Sequence, residues 1–176
     1  PPPPACLDQA DIILVLDRSG SIGADITNLR SSAVSFISGL DPSKTKTKIG
    51  IASFSTNASL DAHLTDDVSA LTSIINSMNS NGSTNLQGGL AIAKTELSNP
   101  TYDRPDSEYP DYVILVTDGL PNEPRSGNPS QMAINQASAL KSAGVRVYVV
   151  GVTDEVDANF LANSIASSPS NYYPVA

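Results

Sequence analysis

The 176-residue chain is acidic, with a formal net charge of −8 and a sequence pI of about 4.4. That balance argues against nucleic acid as a partner, because phosphate binding rests on Lys and Arg. At 176 residues and 40% hydrophobic the chain suits one domain with a sizeable core, and disorder is not expected. One cysteine and one histidine, Cys6 and His63, cannot make an internal disulfide or a zinc site.

Pro1 to Asp8 reads as an extended lead-in, since a proline run joins neither a helix nor a central strand. We therefore place a linker at residues 1–9 and a single domain at 10–176. Cys6 is either a free thiol or, if the domain was cut from a longer chain, paired with a cysteine beyond residue 176. Asp11-Ile12-Ile13-Leu14-Val15-Leu16-Asp17 is a short apolar run ending in an acid, the pattern of a buried parallel strand. Beyond Asp17-Arg18-Ser19-Gly20-Ser21, the residues Ile26, Leu29, Ala33, Phe36 or Ile37, and Leu40 recur at helical spacing, predicting a helix over about 25–39. Ile49 to Phe54 is a second strand. Ala58 to Leu64 alternates and is expected to lie antiparallel at the sheet edge, with His63 a surface or edge residue. Val68, Leu71, Ile74 or Ile75, and Met78 mark a second helix; Leu86, Leu90, Ala93 and Leu97 mark a third, entered through Gly82-Ser83-Thr84-Asn85.

Asn99 to Pro110 reads as an exposed connection. Tyr112 to Asp118 repeats the opening logic, a buried strand ending in an acid, here followed by Gly119. A long loop over 120–129 leads to a helix carrying Met132 or Ala133, Ala137 and Leu140. Val145 to Gly151 is another buried strand. A last helix over about 156–166 uses Val156, Phe160, Leu161 and Ile165, and Asn171 to Val175 is a candidate edge strand, where Pro174 is tolerated. This rhythm implies an α/β fold: a doubly wound, mostly parallel sheet of about six strands, with one antiparallel edge strand and helices on both faces.

In such a sheet chemistry sits outside the carboxyl ends of the strands. Asp17, Ser19 and Ser21, then Thr84, then Asp118 all fall at predicted strand tips or the loops beside them. Together they would form an all-oxygen site with two carboxylates and three hydroxyls. Hard cations such as Mg²⁺ and Ca²⁺ take such ligands, whereas zinc and copper favour His and Cys. Neutral hydroxyl ligands leave the ion under-neutralised and receptive to an incoming carboxylate.

The D-x-S-x-S motif of Asp17, Ser19 and Ser21, with Thr84 and Thr117-Asp118-Gly119 following in order, resembles the von Willebrand factor type A and integrin I-domain family over about Asp11 to Val175. The resemblance implies a Rossmann-like fold and a metal-ion-dependent adhesion site. Ser19, Ser21 and Thr84 would be direct ligands, and Asp17 and Asp118 would ligate directly or through water. The ion would be Mg²⁺, with Mn²⁺ or Ca²⁺ as alternatives, and a Glu or Asp of a partner protein would complete it. Arg18, Gly20, Ser83 and Glu123 would flank the binding face. Collagen-like and other matrix proteins, glycans and cell-surface receptors all stay open as partner classes; nucleic acid and direct membrane insertion are not expected. The resemblance also implies that the last helix shifts when a ligand engages.

The proline lead, the unpaired Cys6 and the sequons Asn57-Ala58-Ser59 and Asn81-Gly82-Ser83 argue for an extracellular or cell-surface module of a longer chain. The competing readings are a domain of an intracellular chelatase- or AAA-linked assembly, and a domain whose metal is purely structural. Enzyme readings fare worse. A phosphatase using Asp17 as nucleophile needs an acid two residues on, where Ser19 stands. No dinucleotide, P-loop or nucleophile-elbow motif follows any strand.

Overall fold

The computed structural model describes residues 9–153 and 156–174, so Cys6 and the proline run lie outside the described residues, as does Val175. Six strands form one sheet: β1 (Ala10–Asp17), β2 (Thr47–Phe54), β3 (Ala58–Thr65), β4 (Asp111–Thr117), β5 (Arg146–Gly151) and β6 (Tyr172–Pro174). They lie in the order β3-β2-β1-β4-β5-β6. Only the β2–β3 pair is antiparallel. Pro174 sits on the edge strand β6, where its missing N–H disturbs no ladder.

All eight residues of β1 are buried, and that requires cover on both faces of the sheet. Successive side chains of a strand point to opposite faces, so β1 divides its apolar residues between two cores. Ile13 and Val15 pack with Leu86, Leu90, Ala133 and Leu140 of α3 (Leu86–Glu96) and α4 (Pro129–Ser142). Ile12, Leu14 and Leu16 pack with Leu29, Ile37, Leu71 and Ile75 of α1 (Ile26–Leu40) and α2 (Val68–Ser77). Ile37 and Ile75 are the buried members of the pairs left open by periodicity; Phe36 is 37% exposed. On the α1 side, the part of the sheet over β4 and β5 carries an open apolar groove of about 1050 Å³, lined by Leu16, Phe36, Tyr112, Ile114, Val150 and Tyr173 among others.

Two stretches differ from expectation. The last helix is not a regular helix over 156–166. Its α-helical part, α5, is Ala158–Phe160, and a π-type turn continues it through Leu161–Ile165, closed by Ala166 N–H donating to Leu161 O at 2.9 Å. The wider turn still buries Leu161 and Ile165, four residues apart, in the core. The 99–110 connection is not simply exposed, because Arg104 runs back under the sheet. Its Nε donates to Asp11 Oδ1 at 2.9 Å, and its Nη2 donates to the carbonyls of Ala10 and Lys46.

The chain steps from β2 on one side of β1 to β4 on the other. The crevice that ligands use in a doubly wound sheet opens at that reversal, beyond the carboxyl ends of β1 and β4. Asp17 ends β1, and Asp118 follows β4.

Candidate metal centre

The D-x-S-x-S segment builds its own turn. Asp17 is fully buried, and its Oδ1 accepts the Ser19 backbone N–H at 2.9 Å. Its Oδ2 accepts from the hydroxyl of Thr117 at 2.7 Å. Parity explains that second partner: Leu16 and Val116 are cross-strand partners on parallel strands, so Asp17 and Thr117 come next on the same face. Both carboxylate oxygens are thus fixed before any ligand arrives.

The turn runs into a short 3₁₀ stretch, Gly20–Asp25. Ser19 Oγ lies 3.0 Å from Ser21 Oγ, and Ser21 Oγ donates to Asp118 Oδ1 at 3.1 Å. Asp17, Ser19, Ser21 and Asp118 therefore converge on one point from residues up to 101 positions apart. Asp118 is 7% exposed, and its backbone carbonyl accepts from the Thr153 hydroxyl.

Thr84 arrives on the loop between α2 and α3, which is stitched to both strand tips. Gly20 N–H donates to Gly82 O at 2.9 Å, and Asn81 N–H donates to Arg18 O at 2.9 Å. Ser80 Oγ donates to Ser19 O at 2.8 Å. A Cβ on Gly20 would stand 3.1 Å from Gly82 O, so this approach of two backbones is tight for any other residue. On its far side Thr84 is clasped by the loop after Asp118. Its N–H donates to Asn122 Oδ1 at 2.8 Å, and its carbonyl accepts from the N–H groups of Asn122 and Glu123. Thr84 is itself buried.

Of the four flanking residues, Gly20 and Ser83 shape the loops by backbone contacts; Ser83 N–H donates to Thr56 Oγ1. Arg18 turns away from the cluster. Its Nε donates to Ser53 Oγ at 3.1 Å, and the side chain lines a small cleft with Asp61, Met78 and Asn79. Glu123 is engaged within its own loop by Arg125, through Arg125 Nε and backbone N–H at 3.0 Å each. His63 stays on the exposed side of β3, held between Glu96 at 3.1 Å and a stacked Tyr102 ring.

The electrostatics invite a cation. Burial pushes Asp17 up to about 6, against the lowering effect of the Ser19 and Thr117 hydrogen bonds and with some help from the charge of Asp118. A carboxyl raised in the folded state stabilises the protein fully below its ordinary value of 3.8 and loses that contribution as pH rises through about 6. In chelator, the melting temperature of Asp17→Asn relative to the parent is therefore expected to rise as pH climbs through that window. Melting curves across the window check this, and parallel pH profiles for the two proteins would overturn it.

The family model of the von Willebrand factor type A domain matches residues 11–176. The chain belongs to that family. Among relatives, it is 30% identical over 182 residues to sporozoite surface protein 2 of Plasmodium yoelii yoelii, covering 96% of this chain and 20% of that protein. Over 157 residues it is 30% identical to the thrombospondin-related anonymous protein of Plasmodium berghei, covering 84% of this chain and 24% of that one. The chain thus spans a fifth to a quarter of the length of these relatives. Among solved structures, manganese-loaded Plasmodium vivax TRAP superposes with a TM-score of 0.75 at 22% identity, covering 97% of this chain and 70% of that one. The mussel byssus protein PTMP1, solved with a zinc-occupied MIDAS motif, gives 0.78 at 24% identity, covering 96% and 42%.

Within this von Willebrand factor type A domain, sequence reasoning missed Thr117 and Asn122 as site builders. Thr117 carries half a signal: its place at the end of a predicted strand is legible, but its partnership with Asp17 rests on the register of β4 against β1. Asn122 carries none, since its contact with Thr84 depends on how two loops meet.

Proposed function

We propose that this domain is a divalent-cation-dependent adhesion module. Asp17, Ser19, Ser21, Thr84 and Asp118 would hold one ion, Mg²⁺ foremost, and a Glu or Asp of a protein partner would complete its coordination. The observation that carries the reading is the hydrogen-bonded convergence of Asp17, Ser19, Ser21 and Asp118 at the switch point of the sheet. The donor set is all oxygen, with only two carboxylates, which suits Mg²⁺ and leaves the ion short of full neutralisation. When bound, the ion supplies electrophilic attraction for a carboxylate. The protein's part is to fix Asp17 through Ser19 and Thr117, and to hold Thr84 against the loop after Asp118.

Relatives support the adhesive reading: one bears the name of a sporozoite surface protein, and similar folds have been solved with manganese or with zinc at the MIDAS. By the same analogy the domain would act outside the cell or at its surface. Among the described residues no helix is long and apolar enough to cross a membrane. Binding rather than turnover is favoured by Ser19, which stands where a phosphatase needs its proton donor, and by His63, which is committed to Glu96.

The test is capture of extracellular-matrix proteins by the immobilised domain, with Mg²⁺ and with chelator. Retention only with Mg²⁺, lost in Asp118→Ala, is the expected result. Equal retention in chelator would leave the metal a structural role and overturn the partner-completed site.

A further inference from the structure

At the opposite end of the same sheet face lies a second group of acids. Asp11 and Asp111 are cross-strand partners at the starts of β1 and β4. Residues 11, 13, 15 and 17 of β1 share a face, so this end lies about 20 Å from Asp17 along the strand. Asp103, from the connection before β4, joins them. Each of the three acids brings one carboxylate oxygen within 4.8 Å of the others.

The three acids are not equally satisfied. Asp11 is fully buried and accepts Arg104 Nε and Nη2 on Oδ1 and the Arg104 backbone N–H on Oδ2. Asp111 is only 6% exposed, yet its Oδ1 is sealed from solvent with no hydrogen-bond donor among the described residues. Asp103 Oδ1 is likewise sealed and, among the described residues, without a donor. A native fold rarely leaves a buried acceptor unmet, and a bound ion is one of the few explanations. With all three ionised, three carboxylates against one guanidinium carry a local charge of −2, the complement of a divalent cation.

We propose that Asp11, Asp103 and Asp111 form a second cation site, one that takes Ca²⁺. The number of carboxylates selects the ion. Ca²⁺ takes about 6–8 oxygen ligands in flexible geometry, and several of them can be carboxylates. Mg²⁺ demands near-octahedral geometry and is usually held by one or two carboxylates rather than three. The same ion would meet both orphaned oxygens and pin the 99–110 connection to the sheet beside the Arg104 clamp. Burial, with the neighbouring acids behind it, raises Asp103 to about 6 and Asp111 to about 8 in the ion-free state, in keeping with carboxylates held close without a counter-ion.

Ca²⁺ titration separates this site from the strand-tip centre. The strand-tip centre is disabled with Asp118→Ala, and Ca²⁺ is titrated calorimetrically into the metal-free variant. The expected result is one ion per chain, with affinity reduced at least tenfold when Asp103→Asn is added. Asp103→Asn removes a repelling charge from a partly exposed position, so it should fold at least as well in chelator. It should, however, lose the rise in melting temperature that Ca²⁺ gives the Asp118→Ala protein. Absence of Ca²⁺ binding to Asp118→Ala overturns the proposal, as does binding indifferent to Asp103→Asn. Asp111→Asn, melting higher than its parent with and without Ca²⁺ alike, would assign the cluster to proton sharing instead and overturn it equally.

Discussion

Asp118→Ala is expected to weaken Mg²⁺ binding at the strand tips by at least tenfold. Replacing even an outer-shell partner of a metal ligand typically costs 10–100-fold in affinity. Asp118 supplies one of only two carboxylates in the candidate centre, and its Oδ1 is the acceptor that orients Ser21. Without it, the charge facing the ion halves and Ser21 loses its anchor. Thr84→Ala is expected to cost less, because it removes a neutral oxygen and leaves the Asn122 clasp, which uses the Thr84 backbone, in place. Calorimetric titration of Mg²⁺ into the metal-free proteins ranks them. Equal affinity in the parent and Asp118→Ala would place the ion elsewhere. Melting curves in chelator separate loss of the ion from loss of the fold.

Arg104→Ala is expected to destabilise the domain by about 3–5 kcal/mol, the usual result of stripping the partner from a buried charge. For a chain of this size that lowers the melting temperature by on the order of 10 °C. The side chains are 13% and 0% exposed, so solvent does little to replace the lost guanidinium. Arg104 also satisfies the carbonyls of Ala10, Lys44 and Lys46 at the foot of β1 and β2, and its guanidinium stacks over Tyr109 at 3.6 Å. Arg104→Lys should recover only part of the loss, because one ammonium cannot cover the fan of acceptors a planar guanidinium reaches. Thermal or denaturant unfolding of the three proteins measures the series. A shift under 1 kcal/mol for Arg104→Ala would show that the Asp11 carboxylate finds other support.

Part of this architecture is local and so can be read from order and spacing. Asp17, Ser19 and Ser21 are five residues from end to end, and the turn that binds Ser19 N–H to Asp17 is closed within three of them. Periods of two and of about 3.6 mark which residues of β1, α1 and α3 face the cores, and β–α alternation implies the parallel sheet. Periodicity stops short where two neighbours both fit, as with Phe36 and Ile37; packing against the sheet chose Ile37. The last helix, read as regular, becomes a three-residue helix with a π-type turn that still buries Leu161 and Ile165.

The remaining features were decided by the tertiary structure alone. Thr117 reaches Asp17, and Arg104 reaches Asp11, only once β4 is laid beside β1, across separations of 100 and 93 residues. No local period encodes which strand lies next to which, nor how deep a connecting loop sinks. A stretch rich in Pro, Asp and Tyr therefore looked like solvated linker, although it carries the cation that neutralises a buried acid. The same strand pairing sets Asp11 against Asp111 at one end of the face and Asp17 beside Thr117 at the other. The residue types at Asp17-Arg18-Ser19-Gly20-Ser21 were legible as an oxygen site from the chain itself. That a second acidic group stands behind it, at the far end of the same strands, follows from register, because register is a property of two strands together.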